Sequence, residues 1–393
     1  MNGKMKKLIQ QVLFVTTVLF LQCTSENDEM NLINDIGVSS QITPPNSESE
    51  NISTDDLFDR SIMLEFWANH IIIPSINNFE TKLNHMNGLV SNFIENPSSE
   101  NLLQLREGWL AAYKNWQYIE MFDIGLAEEI YFKNRMNIFP ANVQRIENNI
   151  ISQSYDLDEP VNFSSQGFAA LDYLLFGLGS QDSIIIEKFT NSNYASYLAN
   201  VTVRMIELTA LIKGHWEGDY LESFINADGN TATSSINLLI NDFVYYFEKG
   251  YRANKFGIPS GVFSGAPLPD RIEAFHGTIY SQILALEASK AVSQFFNGQS
   301  YDNPEVTGLS LKHYLDYVEL DMNDKLSDRI NAQLQASKGK ITTLNANFKK
   351  QIEENNTEML LTYDAIQSIV VMFKVDMLQK LNISVDYADA DGD

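Results

Sequence analysis

The chain has 393 residues, of which 51 are acidic and 27 are basic, so its formal net charge is −24. This excess of negative charge argues against nucleic acid or an anionic membrane surface as a partner, because both repel acidic surfaces. It is compatible with cationic ligands, metal ions included. Cys23 is the only cysteine, so the chain can form no internal disulfide.

The first 22 residues have the order of a signal peptide. Lys4, Lys6 and Lys7 precede the apolar run "LIQQVLFVTTVLFLQ", which is short for a membrane span. Cys23 follows at once and is the predicted lipid attachment site; the alternative is an ordinary secreted protein with an unpaired thiol. The run "CTSENDE" resembles the acidic tether of surface-exported lipoproteins of some Gram-negative bacteria. We therefore expect a cell-envelope protein, lipid-anchored to the outer membrane, with surface exposure as a further expectation.

Residues 23–54 are rich in Ser, Asn, Pro and acid, a composition that favours a flexible tether. By the usual sizes of domains, the remaining length predicts two packed helical bundles, over residues 55–225 and 226–385. Residues 386–393, "DYADADGD", form an acidic tail. The tail begins like a calcium loop but ends before the bidentate Glu that such loops need, so a solvated tail and weak calcium binding both remain open.

Helical periodicity dominates the folded part. Pro74 is expected to kink the first helix, Ser98 or Ser99 to cap the second, and Gly125 to end it. There is little strand alternation, and the sequence contains no Gly-rich phosphate loop, GxSxG, CxxC or HExxH motif. The fold class is therefore predicted to be all-α. The predicted helices cover residues 57–94, 98–125, 186–213, 232–254, 279–297, 310–318 and 325–381.

One connecting segment, residues 254–277, reads "NKFGIPSGVFSGAPLPDRIEAFHG". It is too apolar for a solvated linker, and its glycines and prolines break any helix. Such a segment is typical of an ordered crossover that packs over a core, often beside a site.

Several runs resemble the imelysin family. "REGWLAAYKNWQYIEMFDIG" resembles its Trp-rich helix, and "QGFAALDYLLFG" falls where that family has its GxHxxE motif. The runs "GIPSGVFSGAPLPDRIEAF", "SQFFNGQSYDN" and "LNISVDYADADGD" resemble one envelope-lipoprotein branch of the family. The resemblance implies two helical bundles with a site near their interface. It also implies an exported location, and members described as envelope peptidases or as iron-regulated proteins.

The chain departs from the family motif at its imidazole. With Gly167 on the motif's glycine, Ala169 stands where the family has His and Asp172 where it has Glu. Positions three apart on a helix share a face, so the motif pair could hold a metal or exchange protons. Ala169 can do neither, and a lone shortened carboxylate suits a hard cation better than zinc. Asp172 is then either structural, held by Arg106 or by backbone N–H groups, or a direct ligand contact.

For the other candidate residues, a structural role and a role in a binding site are both open. Trp109 and Trp116 form a helical stripe that is either core packing or part of a binding site. Arg106 and Glu120 lie toward opposite ends of that stripe and would line a cleft or the surface. Glu273 and His276 form the best remaining carboxylate–imidazole pair, so a metal site, if present, would use Asp172, Glu273 and His276, with iron or another divalent cation.

Two functions follow from these observations. The first is a non-catalytic envelope lipoprotein that binds a metal, haem or an envelope protein partner, linked to iron or haem acquisition. The second is an envelope metallopeptidase of the imelysin type. The missing motif His favours the first, and whether the chain is an enzyme stays open.

Overall fold

Helices make up nearly all of the regular structure in the computed structural model, which describes residues 58–386. Within that range there is no β-strand, only an isolated antiparallel bridge between Gln299 and Thr307. The all-α prediction is confirmed. The signal peptide, Cys23, the tether and the tail after Asp386 lie outside the described residues.

The helices fall into two groups along the chain. In the first, α2 (Ile73–Glu95) packs against α3 (Ser99–Trp116) and α9 (Ser192–Trp216). In the second, α15 (Leu326–Thr343) packs against both α16 (Phe348–Val371) and α13 (Ser281–Asn297), and α16 also packs against a π-helix. Helices α3 and α13 join the two groups. The predicted domain boundary at residues 225 and 226 falls at the end of α10 and stays a prediction. The first group contains α1 (Arg60–Phe66), α2 (Ile73–Glu95), α3 (Ser99–Trp116), α4 (Leu126–Glu129), α5 (Phe132–Met136), α6 (Val143–Ser152), α7 (Gly167–Asp172), α8 (Asp182–Lys188), α9 (Ser192–Trp216) and α10 (Asp219–Asn226).

The second group contains the remaining helices. Its members are α11 (Ser235–Tyr245), α12 (Ile258–Ser260), α13 (Ser281–Asn297), α14 (Leu311–Val318), α15 (Leu326–Thr343), α16 (Phe348–Val371) and α17 (Leu378–Lys380). Short 3₁₀ turns occupy Pro160–Ser165, Pro269–Arg271 and Thr278–Tyr280.

Four stretches have π-helical hydrogen bonding. This pattern is rare in proteins, and where it occurs it is often found at functional sites. The third is the longest, and the charged side chains of Glu248, Arg252 and Lys255 are buried in it. These stretches are π1 (Trp67–Ile72), π2 (Tyr173–Gly177), π3 (Tyr246–Gly257) and π4 (Met372–Met377).

Several predictions about the helices need correction. The helix expected over residues 186–213 is interrupted at residues 189–191, between α8 and α9. Residues 254–260, which were expected to be non-helical, form the end of a π-helix and α12. The helix expected to reach Gly125 ends at Trp116, where turns take over. The helix expected over residues 325–381 is interrupted. The chain turns at 344–347, where Asn347 caps α16 by accepting from the Lys350 amide, and Asn355 within α16 is non-helical, with φ −155°. Pro74 stands in the first turn of α2, directly after π1. Because proline has no backbone N–H, the hydrogen bond that is missing here is one to the preceding π-helical turn.

Ser98 caps α3 as predicted, and Ser310 caps α14. The Ser98 hydroxyl accepts from the Asn101 amide at the start of α3, and that of Ser310 accepts from the His313 amide. Within residues 58–386, no helix is both long enough and apolar enough to cross a membrane.

Candidate functional site

The motif segment is buried along α7 and the start of π2. Gly167 begins α7 with φ +71°, a region that side-chain-bearing residues rarely adopt. A Cβ at this position would also collide with the carbonyl of Met136. The motif glycine is therefore required by its backbone conformation and by the close approach of the last residues of α5.

Asp172 ends α7 and is 2 % exposed. Its Oδ2 accepts from the backbone N–H of His276 at 2.8 Å, and its Oδ1 accepts from that of Gly277 at 2.7 Å. Burial raises the pKa of Asp172 to about 7, against the opposing effect of these two N–H donors. Both carboxylate oxygens are thus used to hold the crossover segment onto α7.

The crossover segment approaches the motif closely at Gly177. A Cβ on Gly177 would lie 2.6 Å from Nδ1 of His276 and 2.6 Å from the ring of Tyr173. The imidazole packs against Tyr173 with ring centroids 5.3 Å apart, and burial lowers the pKa of His276 to about 4. His276 is consequently neutral near pH 7.

Of the two predicted sets of partners for Asp172, the structure has the backbone N–H groups and not Arg106. The Arg106 guanidinium instead forms a bidentate pair with Asp182, at 2.8 and 3.1 Å. It also donates to the carbonyl of Leu175 and lies over the Phe176 ring, 4.5 Å from its centroid. These contacts of Arg106 connect α3 to π2 and α8.

The Trp stripe lies in the core. Trp109 and Trp116 are fully buried, and Trp109 Nε1 donates to the carbonyl of Phe168 at 3.3 Å. Between them Tyr113 stacks on Phe168 with centroids 4.3 Å apart, and its hydroxyl donates to Asn137 at 2.7 Å. The stripe positions α7 against α3.

Glu273 belongs to a buried polar network that we call the Lys255 network: Lys255, Glu273, Gln117 and Asn137. Lys255 Nζ lies 2.5 Å from Glu273 Oε2 and 2.8 Å from Gln117 Oε1. Glu273 Oε1 accepts from Gln117 at 3.2 Å and from Asn137 at 3.0 Å. Both charged side chains are 2 % exposed, so hydrogen bonds must compensate the loss of water around them.

Glu120 follows α3 in the turns and is 5 % exposed. Its Oε2 is buried and has no hydrogen-bond partner within residues 58–386. Burial raises the pKa of Glu120 to about 7; the charge of Lys255 opposes this effect and that of Glu273 adds to it. Glu120 is therefore neither on the surface nor in the Lys255 network, but beside that network.

The predicted metal set is not gathered into one place. Asp172 holds backbone amides, Glu273 holds Lys255, and the His276 ring packs on Tyr173. No group of three His, Cys, Asp or Glu side chains in the described part of the chain is placed to hold a metal ion. Glu273 and His276 likewise do not form the predicted carboxylate–imidazole pair, because their side chains have these separate partners.

Sequence reasoning missed Lys255, Gln117, Asn137 and Tyr246. In "YYFEKGYRANKFG", an α-helical period places Glu248, Arg252 and Lys255 on a charged stripe that would normally be solvated. The only available signal was the density of aromatic residues around that stripe.

The match to family models decides the classification. The imelysin model, which is also named for peptidase family M75, matches residues 72–372. The chain belongs to the imelysin family. No curated protein matches the sequence.

Two solved structures share the fold of this imelysin-family chain. An iron-regulated protein A precursor from Parabacteroides distasonis is 16 % identical with a TM-score of 0.69, covering 82 % of this chain and 95 % of its own. An imelysin-like protein from Psychrobacter arcticum is 15 % identical with a TM-score of 0.68, covering 86 % of this chain and 99 % of its own. At such identities the likeness establishes the fold alone.

Proposed function

We propose that this imelysin-family protein is a non-catalytic lipoprotein of the cell envelope that binds a ligand or partner and is linked to iron or haem acquisition. The observation that carries the proposal is the use of Asp172. Its two oxygens accept the amides of His276 and Gly277, while Ala169 stands in place of the motif's imidazole. A carboxylate used in this way positions a loop.

Metallopeptidase chemistry needs several ligands and a base around an open coordination position. In this chain the motif helix supplies one carboxylate, and the nearby imidazole of His276 packs between Tyr173 and Gly177. These arrangements favour binding over hydrolysis.

The iron link and the location rest on different support. The Parabacteroides distasonis structure is described as an iron-regulated protein A precursor, and we extend that connection to this chain. The location rests on the signal-like start of the sequence and on Cys23. A metal, haem or an envelope protein is the expected partner.

The test of the functional class combines metal analysis with a peptide-cleavage assay on the full chain, purified without chelator. We expect no peptide cleavage, and the same zinc and iron content in wild type and in Asp172→Asn. Stoichiometric zinc or iron that is lost in Asp172→Asn, together with cleavage by wild type, would establish the metallopeptidase alternative instead.

Ala169→His serves as a gain-of-function control, since it places an imidazole three residues before Asp172 on the same helix. Two ligands make only part of a site, so we expect at most weak metal binding and no hydrolysis.

The location has its own experiment. Cys23→Ser should move the protein from the membrane fraction to the soluble fraction. A variant that stays in the membrane pellet after washing with high salt would contradict lipid anchoring.

A further inference from the structure

A cavity of about 190 Å³ lies between π3 and the chain that follows α5. Asn137, Lys133, Lys249, Tyr246 and Glu120 contribute to its lining. It borders the Lys255 network, because Asn137 belongs to both. It is separate from Asp172, which does not line it.

Two side chains that line this cavity have buried polar atoms without partners. Oε2 of Glu120 and the hydroxyl of Tyr246 form no hydrogen bond to any described residue. Glu120 is 5 % exposed and Tyr246 is 1 % exposed. Buried polar groups in folded proteins are nearly always hydrogen-bonded, so two such atoms beside one cavity make it a candidate site for water or for a ligand that would bond to them.

The two neighbouring lysines are paired with carboxylates other than that of Glu120. Lys255 is held by Glu273 and Gln117. Lys133 lies 2.9 Å from Asp123 and 3.9 Å from Asp242. Each lysine is matched by its own carboxylate, so the acid of Glu120 is the unmatched charge on the inner side of the cavity.

One basic side chain at the cavity, that of Lys249, also has no ion pair within the described residues. Lys249 lines the same cavity and is partly exposed. The cavity therefore offers an unmatched acid on its buried side and an unmatched base on its more exposed side. A molecule that carries both charges would satisfy the two together.

We propose that this cavity binds a small zwitterion of amino-acid size, with its ammonium group on Glu120 and Tyr246 and its carboxylate on Lys249. An ammonium group donates three hydrogen bonds, which suits the two unpartnered oxygens. Burial raises the pKa of Glu120 to about 7 against the opposing charges of Lys255 and Lys133, so an ammonium group bound beside it would further favour the ionised carboxylate. This inference goes beyond the proposed envelope role and does not depend on iron or on the lipid anchor.

The experiment is calorimetric titration of the full chain with glycine, alanine and serine, and with ethylamine and acetate as single-charge controls. We expect saturable binding of at least one amino acid and markedly weaker binding of both controls. Because binding of an ammonium group favours ionised Glu120, the measured heat near pH 7 should depend on the ionisation enthalpy of the buffer.

Single substitutions test which side chains contact the bound amino acid. Glu120→Gln should abolish binding, and Tyr246→Phe should weaken it about tenfold through loss of one hydrogen bond to a charged group. Tyr251→Phe is the matched control, since Tyr251 lies in the same π-helix, is equally buried and does not line the cavity. It should bind as wild type does.

Lys249→Met provides a second test at a partly exposed position where folding is not at risk. It should weaken binding of the amino acid and leave the response to ethylamine unchanged. The proposal is overturned if no amino acid binds, which would mean that water fills the cavity, or if acetate binds as well as the amino acids. Binding that survives in Glu120→Gln would overturn it equally.

Discussion

The backbone N–H of Gly277 donates to Oδ1 of Asp172 at 2.7 Å, between residues 105 positions apart in the chain. With the neighbouring bond from His276, it fixes the end of the crossover segment to the motif helix. Glu273 lies three residues before His276, so the same attachment holds the Lys255 network in place.

The buried pair of Lys255 and Glu273 should be important for stability. Lys255→Met leaves the Glu273 carboxylate buried without its cation, and we expect a loss of about 3–5 kcal/mol in the free energy of unfolding. Lys350→Met is the control: Lys350 forms an exposed pair with Glu354, at 3.7 Å, and its loss should cost less than about 1 kcal/mol. Urea denaturation measures both, and equal losses in the two variants would contradict the importance assigned to the buried pair.

A second comparison tests the role of the motif glycine. Gly167→Ala should destabilise the protein by more than about 1 kcal/mol, because φ is +71° and the new methyl group meets the Met136 carbonyl. Gly214→Ala lies within α9, where a Cβ would meet nothing within 4 Å. It should stabilise by about 0.5–1 kcal/mol. Thermal unfolding of the two variants should therefore shift in opposite directions, and a neutral Gly167→Ala would refute this reading of the motif.

Glu120 predicts a pH dependence with a definite sign. Its pKa is raised from about 4.5 to about 7 on folding, so its contribution to stability is complete below pH 4.5 and is lost as the pH rises through 7. Relative to Glu120→Gln, wild type should lose stability over that window, with a slope of at most about 1.4 kcal/mol per pH unit.

His276 acts in the opposite direction, since its lowered pKa removes stability as the pH falls from 6.5 through about 4. This effect is common to wild type and Glu120→Gln and cancels in their difference. Unfolding free energies measured from pH 4 to pH 8 provide the test, and parallel curves for the two proteins would show that Glu120 is not buried as described.

Local sequence signals predicted the parts of the fold that depend on local structure. Helical periodicity predicted the all-α class, and Ser98 was predicted as a cap because capping involves residues only two or three positions away. The crossover segment over residues 254–277 was predicted from its apolar, glycine- and proline-rich composition to pack over the core. Glu273 bonds to the buried Gln117, and His276 and Gly277 bond to the buried Asp172.

The interior polar groups could not be predicted in the same way. Asp172 was expected to be held by Arg106 or by backbone N–H groups, and no local pattern indicates that the donors are two amides about a hundred residues away. Lys255 is buried within π3, and a charged stripe at α-helical spacing does not predict this burial. The break at residues 344–347 was missed because the periodicity continues on both sides of it.

Amide hydrogen exchange in Asp172→Asn tests the central claim, that this carboxylate holds the crossover segment, most directly. An Asn side chain can accept one of the two backbone amides but presents an NH₂ group to the other. Relative to wild type, we expect faster exchange at His276 and Gly277, with α2 and α9 unchanged. Unaltered protection at His276 and Gly277 would contradict the account.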